Sequence, residues 1–203
     1  MGCFVSILSL LSPDQAEEEF PEVQYHKFKD IVKDADDKSD LLQRVHPGIY
    51  LKNKEMKYWV DESGSNCFMC YASDEDVEVA CLMDICWLAA EGDFDVSLLS
   101  PGVNYEVVFI LTMKDFSHGW DNIVTLRLER PDNTEHEEEI ILDPEELKGQ
   151  WGELVVGEFN SGVPDSKGRV VAFKLSETTS GQWKGGLVIK GVLLQPVRGD
   201  SPS

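Results

Sequence analysis

The spacing of apolar and polar positions changes near residue 48. From there, runs of about five to eight residues, rich in β-branched and aromatic side chains, alternate with turn residues such as Ser63-Gly64 and Pro131-Asp132-Asn133. The runs are 48–51, 57–60, 77–89, 104–113, 123–129, 138–142, 152–159, 169–177 and 183–195. This alternation is typical of a sandwich and not of strand–helix–strand units, so it predicts an all-β domain with two sheets packed face to face.

Alternation within one run indicates which side chains are buried. In the run 169–177, Val171, Phe173 and Leu175 share one face, which we expect to face the core. Large rings dominate the burial energy of a sandwich. Further core candidates are therefore Trp87, Leu88, Trp183 and Leu187.

Before residue 48, apolar side chains recur at helical spacing. Phe28, Ile31, Val32 and Ala35 predict an amphipathic helix over about 22–37 that packs on the body of the protein, a partner-binding helix being the alternative. Pro47-Gly48 is a turn signal at the start of the main domain. We therefore expect an N-terminal extension, 1–46, a β-domain, 47–197, and a disordered tail, 198–203.

The charge balance excludes one class of partner. Asp and Glu number 38 against 18 Lys and Arg, which gives a formal net charge of −20. Nucleic acids bind through cationic side chains that release counterions, so we expect no nucleic-acid partner.

Five cysteines, an odd number, and an N-terminus without the basic region of a secretory signal predict a reducing, cytoplasmic compartment with free thiols. Cys67, Cys70, Cys81 and Cys86 leave two alternatives, a structural zinc site and a disulfide or redox pair. Residues 81 and 86 of one strand would point to opposite faces, which argues against the zinc site. We expect neither a metal nor a cofactor.

The first residues, MGCFVS, match the pattern for N-terminal lipidation. Gly2 would be myristoylated after removal of Met1, and the adjacent Cys3 would be palmitoylated. One acyl chain holds a membrane only marginally, so the second would make attachment stable at the cytosolic face. The alternative is an unmodified apolar tail. The acidic segment 14–22 would be repelled by anionic headgroups.

Spaced landmarks in a fixed order carry a resemblance that covers about 47–196. They are Glu78-Val79-Ala80, Cys86-Trp87-Leu88, Gly92, Leu99-Ser100-Pro101, Tyr105, Gly157-Glu158-Phe159, Glu177, Trp183-Lys184, Gly186 and Gly191. This order resembles the phloem protein 2 family, whose best-known members are the Nictaba-type lectins. The resemblance implies a jelly-roll β-sandwich. It also implies binding of N-acetylglucosamine oligomers (chitin oligosaccharides) or N-glycan cores on glycoproteins, without catalysis. Members are commonly homodimers in the cytosol, nucleus or phloem sap.

The same resemblance implies the carbohydrate-binding residues. The family carries a segment T-W-x-D that is followed by Y-W-x-W. Trp59 and Asp61 match the first half of this pattern. Phe68 and Tyr71 lie at the second half, where Phe68 replaces a tryptophan. The family's L-M-E carboxylate falls on Glu177, and a second family carboxylate falls on Arg169. The alternatives are that Trp59 and Phe68 are core residues and that Glu177 is a solvated strand end.

Two other functions compete with sugar binding. An enzyme is not expected, because the sequence has no nucleophile elbow, phosphate loop or H-E-x-x-H motif, although counting carboxylates leaves a glycosidase pair open. The second competitor is a protein-interaction module of the same fold that has lost the sugar site, for which Phe68 and Arg169 are the reasons.

Overall fold

Most regular structure in this protein is β-strand. The computed structural model describes residues 3–7, 24–72, 79–163 and 168–197. The strands are β1 (Cys3–Ile7), β2 (Ile49–Leu51), β3 (Met56–Val60), β4 (Asn66–Tyr71), β5 (Ala80–Cys81), β6 (Leu88–Asp95), β7 (Asn104–His118), β8 (Ile123–Glu129), β9 (Glu135–Ile141), β10 (Gly152–Asn160), β11 (Val170–Glu177) and β12 (Gly185–Pro196). Three short helices are α1 (Phe28–Val32), α2 (Leu41–Arg44) and α3 (Pro144–Leu147).

The strands form two sheets that enclose one apolar core. The smaller sheet has the order β1-β6-β11-β8-β9, and the larger has the order β10-β7-β12-β4-β3-β2, with β5 paired to β12. On β11 the residues expected to face the core, Val171, Phe173 and Leu175, are buried. The all-β sandwich prediction is confirmed.

The predicted N-terminal helix is right in its buried face and wrong in its length. Phe28, Ile31 and Val32 are buried in the core that the two sheets share. The helix, however, is confined to α1, which Lys27 precedes with a left-handed φ of 49°. Ala35 already pairs with Leu51 of β2, so the chain leaves helical geometry to join the sheet.

One strand prediction is wrong, and one strand was missed. The described part of the run 77–89, residues 79–89, holds β5 and the start of β6 with irregular chain between them. Strand β4 was not predicted, because it lies between β3 and β12 with both faces covered and therefore shows no alternation.

Trp87 and Trp183 are not core residues. Their exposed fractions are 51% and 55%, whereas Leu88 and Leu187 are fully buried as expected. Each tryptophan lies in the loop just before a strand begins.

Strand β1 was not predicted and comes from the N-terminal extension. It pairs in parallel with β6, in a register that runs from Cys3 beside Leu88 to Ile7 beside Gly92. The N-terminal residues thus supply one edge of the smaller sheet.

Candidate functional site

The outer face of the larger sheet carries a shallow groove of about 380 Å³. Aromatic, aliphatic and cationic side chains from five segments line it: His46, Pro47, Lys57, Trp59, Met69, Tyr71, Ile110, Lys190 and Leu193. We call this surface the aromatic face.

Strand register builds the floor of the aromatic face. Met69 of β4 lies beside Leu193 of β12, which lies beside Val108 of β7. These three side chains are buried under the half-exposed Trp59 and Tyr71 and form an apolar cluster separate from the main core. Because successive side chains alternate between faces, this cluster backs onto the core through the sheet.

Two further rings contact side chains that line the groove. Tyr50 of β2 stacks on Tyr71, with ring centroids 6.2 Å apart and an interplanar angle of 29°. Lys57 Nζ lies 6.0 Å from the Tyr50 centroid, and Lys190 Nζ lies 5.5 Å from that of Trp151. The cations are attracted by the ring faces, which holds the rings and ammonium groups in place.

A carboxylate and an amide lie on the same face of the sheet. Glu106 of β7 is on the side of Val108, and Gln195 of β12 donates from Nε2 to Glu106 Oε1 at 2.7 Å. Both residues are half-exposed. Sequence reasoning missed this pair, although alternation along 104–113 placed Glu106 opposite the core-facing Tyr105.

Of the six sugar-binding residues expected from the sequence, two meet on the aromatic face. Trp59 and Tyr71 both line the groove. Asp61, two residues beyond Trp59, lies in the turn between β3 and β4. There its Oδ1 accepts hydrogen bonds from the backbone N–H groups of Ser63 at 3.0 Å and Ser65 at 2.9 Å, which gives it a turn-forming role.

The structure places Phe68 in the main core and not on the aromatic face, which agrees with the alternative that the sequence left open. Its side chain is fully buried on the core side of β4. It packs against Tyr58 and Phe94, with ring centroids 5.2 Å and 4.9 Å apart. A ligand on the outer face of the sheet cannot reach it.

Glu177 is also unavailable to a ligand. It ends β11 in the smaller sheet, and its side chain is 1% exposed and forms an ion pair with the equally buried Lys184. The Ser180 N–H donates to its Oε1 at 2.9 Å. Burial alone would raise the pKa of Glu177, but the hydrogen bonds from Lys184 and Ser180 outweigh that effect and hold the pKa below its usual value.

Arg169 lies just before β11, at the end opposite Glu177. Eight residues of extended chain separate the two, roughly 25 Å at the usual rise of a strand, so they cannot contact one sugar ring. Arg169 Nε donates to the Pro131 carbonyl at 3.1 Å. Glu106 thus offers a carboxylate on the same side of the larger sheet as the aromatic face, whereas both ends of β11 belong to the smaller sheet.

The cysteines of β4 point to different environments. Cys70 belongs to the main core, whereas Cys67 is buried on the other face, and burial raises the pKa of each thiol to about 12. Across the described ranges, no group of three or more His, Cys, Asp or Glu residues could hold a metal ion. Gly2 lies outside the described residues.

No helix within the described ranges is long and apolar enough to span a membrane.

A family model described as phloem protein 2 matches residues 49–196. The protein named PHLOEM PROTEIN 2-LIKE A1 from Arabidopsis thaliana is 35% identical over 201 residues, covering 84% of this chain and 80% of that protein. A protein named lectin from Luffa acutangula is 33% identical over 178 residues, covering 77% and 83%. A solved structure titled "CBM4 structure and function" has a TM-score of 0.29 and 12% identity, covering 77% and 83%, a likeness too low to indicate function.

Proposed function

We propose that this chain, which belongs to the phloem protein 2 family, is a carbohydrate-binding lectin that binds its ligand without catalysing a reaction. The ligands that we propose are N-acetylglucosamine oligomers or the N-glycan cores of glycoproteins. The proposed site is the aromatic face of the larger sheet.

One observation supports this site above the others. Trp59 and Tyr71 lie partly exposed over a dry apolar floor, on the same face of the sheet as the polar pair formed by Glu106 and Gln195. A pyranose needs both kinds of surface, because its C–H face stacks on an aromatic ring and its hydroxyl rim needs donors and acceptors. An open groove also suits an oligomer, whose ends must extend beyond the site.

Calorimetric titration of the full chain with chitotriose and longer chitin oligomers tests the proposal. We expect saturable binding that Trp59→Ala weakens roughly ten- to hundredfold, because burying and stacking one ring contributes ~1–3 kcal/mol. Trp183→Ala removes a more exposed ring at a different place on the surface and should leave the affinity unchanged. A folded wild type that gives no heat with any oligomer contradicts the lectin proposal.

A protein-interaction module of the same fold is the second candidate. The observation that favours it is the dispersal of the family's sugar-binding positions, with Phe68 in the core and Glu177 in a buried ion pair. In that case Trp59→Ala would abolish capture of a glycan-free protein partner, while chitin oligomers would neither bind nor compete.

Family resemblance also supports a homodimer. Two shallow sites on one particle would raise the apparent affinity for multivalent glycans. Light scattering at micromolar concentration should therefore give about twice the chain mass of 22.8 kDa. A mass of one chain would contradict the dimer.

We also propose a cytoplasmic protein that is held at the cytosolic face of a membrane by acylation of Gly2 and Cys3. Mass spectrometry of the purified protein should show a myristoyl group on Gly2, and Gly2→Ala should move the protein to the non-membrane fraction. If wild type and Gly2→Ala fractionate alike, acylation does not locate the protein.

A further inference from the structure

One end of the sandwich exposes an unusual amount of apolar surface. Six large apolar side chains there are each between 50% and 64% exposed: Met83, Trp87, Phe116, Ile123, Ile141 and Trp183. They belong to the starts of β6, β8 and β12, the ends of β7 and β9, and the loops between these strands. We call this surface the apolar end.

Hydrogen bonds join the loops that form the apolar end. The Ile85 N–H donates to the Lys184 carbonyl at 2.9 Å, which ties the loop before β6 to the loop before β12. Trp120, which follows β7, donates from Nε1 to the Gly185 carbonyl at 2.8 Å. His118 Nε2 lies 3.3 Å from Asp84 Oδ1. These contacts hold together the loops that carry the exposed side chains.

On the outer face of the smaller sheet, polarity rises with distance from the apolar end. Ile123 pairs with Ile141 at the end itself, and four residues further along Arg127 pairs with Glu137. Lys174 and Glu91 form an ion pair of 2.9 Å on the neighbouring strands. At about 3.3 Å per residue, the apolar layer is roughly 7 Å deep, similar to the depth at which interfacial apolar surfaces enter a bilayer.

The register of β1 brings the proposed acylation position to this surface. Cys3 lies beside Leu88, and Leu88 lies beside Glu177 on the next strand. Since paired strands run about 4.8 Å apart, the Cys3 backbone is about 5 Å from the residue that directly follows Trp87. An acyl chain on Cys3 would start at the margin of the apolar end.

We propose that the apolar end docks on a lipid bilayer, where its side chains enter the interfacial region beside the acyl chains. The proposal rests on the acylation proposed above. Tryptophan prefers the membrane–water interface because its ring is apolar and its N–H is polar. Exposed charges near this end are mostly acidic, with Asp84, Asp115 and Asp121 against Lys114. The preferred surface is therefore zwitterionic, such as phosphatidylcholine.

The test measures partitioning of the full chain onto phosphatidylcholine vesicles. The protein is co-expressed with an N-myristoyltransferase, and its mass is checked before use. Trp87→Ala/Trp183→Ala should lower the partition coefficient about tenfold, because two interfacial rings are lost. The matched control is Trp151→Ala, which removes a ring that is 46% exposed on the larger sheet, and it should change partitioning less than about twofold. Brominated lipid should quench the fluorescence of wild type and the control more strongly than that of the double variant.

Equal partitioning of wild type and the double variant, with melting curves that show both folded, overturns the proposal. It is also overturned if wild type self-associates without lipid and the double variant does not, since the apolar end is then an interface between copies of the chain. The failure of acylation is seen separately, as a mass without the acyl group. In that case the ratio of the partition coefficients of the double variant and Trp151→Ala still tests the docking proposal.

Discussion

At the scale of single residues, Glu177 and Lys184 show how a family landmark can have a structural role. Lys184 Nζ donates to Glu177, to the Gln182 carbonyl at 2.8 Å and to the Cys86 carbonyl at 3.3 Å. This buried ammonium group therefore joins the loop before β12 to the residue before Trp87. Sequence spacing could not predict the pair, because both residues face inward only after the loop between β11 and β12 folds back.

Removing one partner of this pair should destabilise the protein strongly. Glu177→Ala leaves an uncompensated ammonium group in the core, for which we expect a loss of about 3–5 kcal/mol in the free energy of unfolding, measured in urea. The double variant Glu177→Gln/Lys184→Met, which removes both charges, should lose less than Glu177→Ala. A loss under about 1 kcal/mol for Glu177→Ala contradicts the structural role.

The same pair should make stability depend on pH. The pKa of Glu177 is lowered in the folded state by hydrogen bonds from Lys184 and Ser180, which overcome the effect of burial. Its contribution is therefore complete above the unfolded-state pKa, near about 4.3, and disappears as the pH falls through the lower folded-state value. Urea midpoints measured from about pH 6 to pH 3 should fall more steeply for wild type than for Glu177→Gln/Lys184→Met. Parallel curves would contradict this linkage.

At the scale of elements, a single buried asparagine joins the N-terminal extension to the larger sheet and to the loop that follows β6. Asn66 begins β4, and its Nδ2 donates to the His26 carbonyl at 2.8 Å and to the Leu98 carbonyl at 2.9 Å. Its Oδ1 accepts from the Tyr58 hydroxyl at 3.0 Å. The extension is thus held by a polar contact as well as by the apolar face of α1.

Replacing this asparagine should loosen α1 before it unfolds the sandwich. Asn66→Leu leaves two buried carbonyls and one hydroxyl without partners, each costing about 1–3 kcal/mol. Amide exchange around α1 should therefore become faster than in wild type, while exchange within β7 and β12 changes less. Tyr58→Phe serves as the control, because it removes only one of these hydrogen bonds. Uniform exchange changes across all elements would contradict a local role for Asn66.

The elements that the sequence predicts well are those with one solvent-exposed face and one buried face. β8 and β11 alternate visibly, and their predicted and observed bounds nearly agree. β4 is covered on both faces, and β1 depends on a partner strand more than eighty residues away, so neither leaves a local periodic signal. Of the site, Trp59 and Tyr71 follow from the family motif, whereas Glu106 and Gln195 require the register of β7 and β12.

At the scale of the whole molecule, the net charge of −20 governs what the apolar end can approach. We expect added phosphatidylserine to reduce vesicle association of the myristoylated chain, because the surface and the protein repel each other. Raising the salt concentration should restore association, since the screening length falls to about 10 Å at 0.1 M. The measurement is co-sedimentation over a range of lipid compositions and salt concentrations. Stronger association with anionic vesicles would contradict it.

The position of β1 also affects any attempt to isolate the family domain. The matched domain begins at residue 49, yet residues 3–7 form an edge strand of the smaller sheet. A fragment starting near residue 47 would expose the unpaired backbone of β6 to solvent, together with the apolar surface that α1 covers. Open strand edges pair readily with other chains. We therefore expect such a fragment to aggregate more readily than the full chain, because its sheet would end in the eight-residue β6 and not in the five-residue β1.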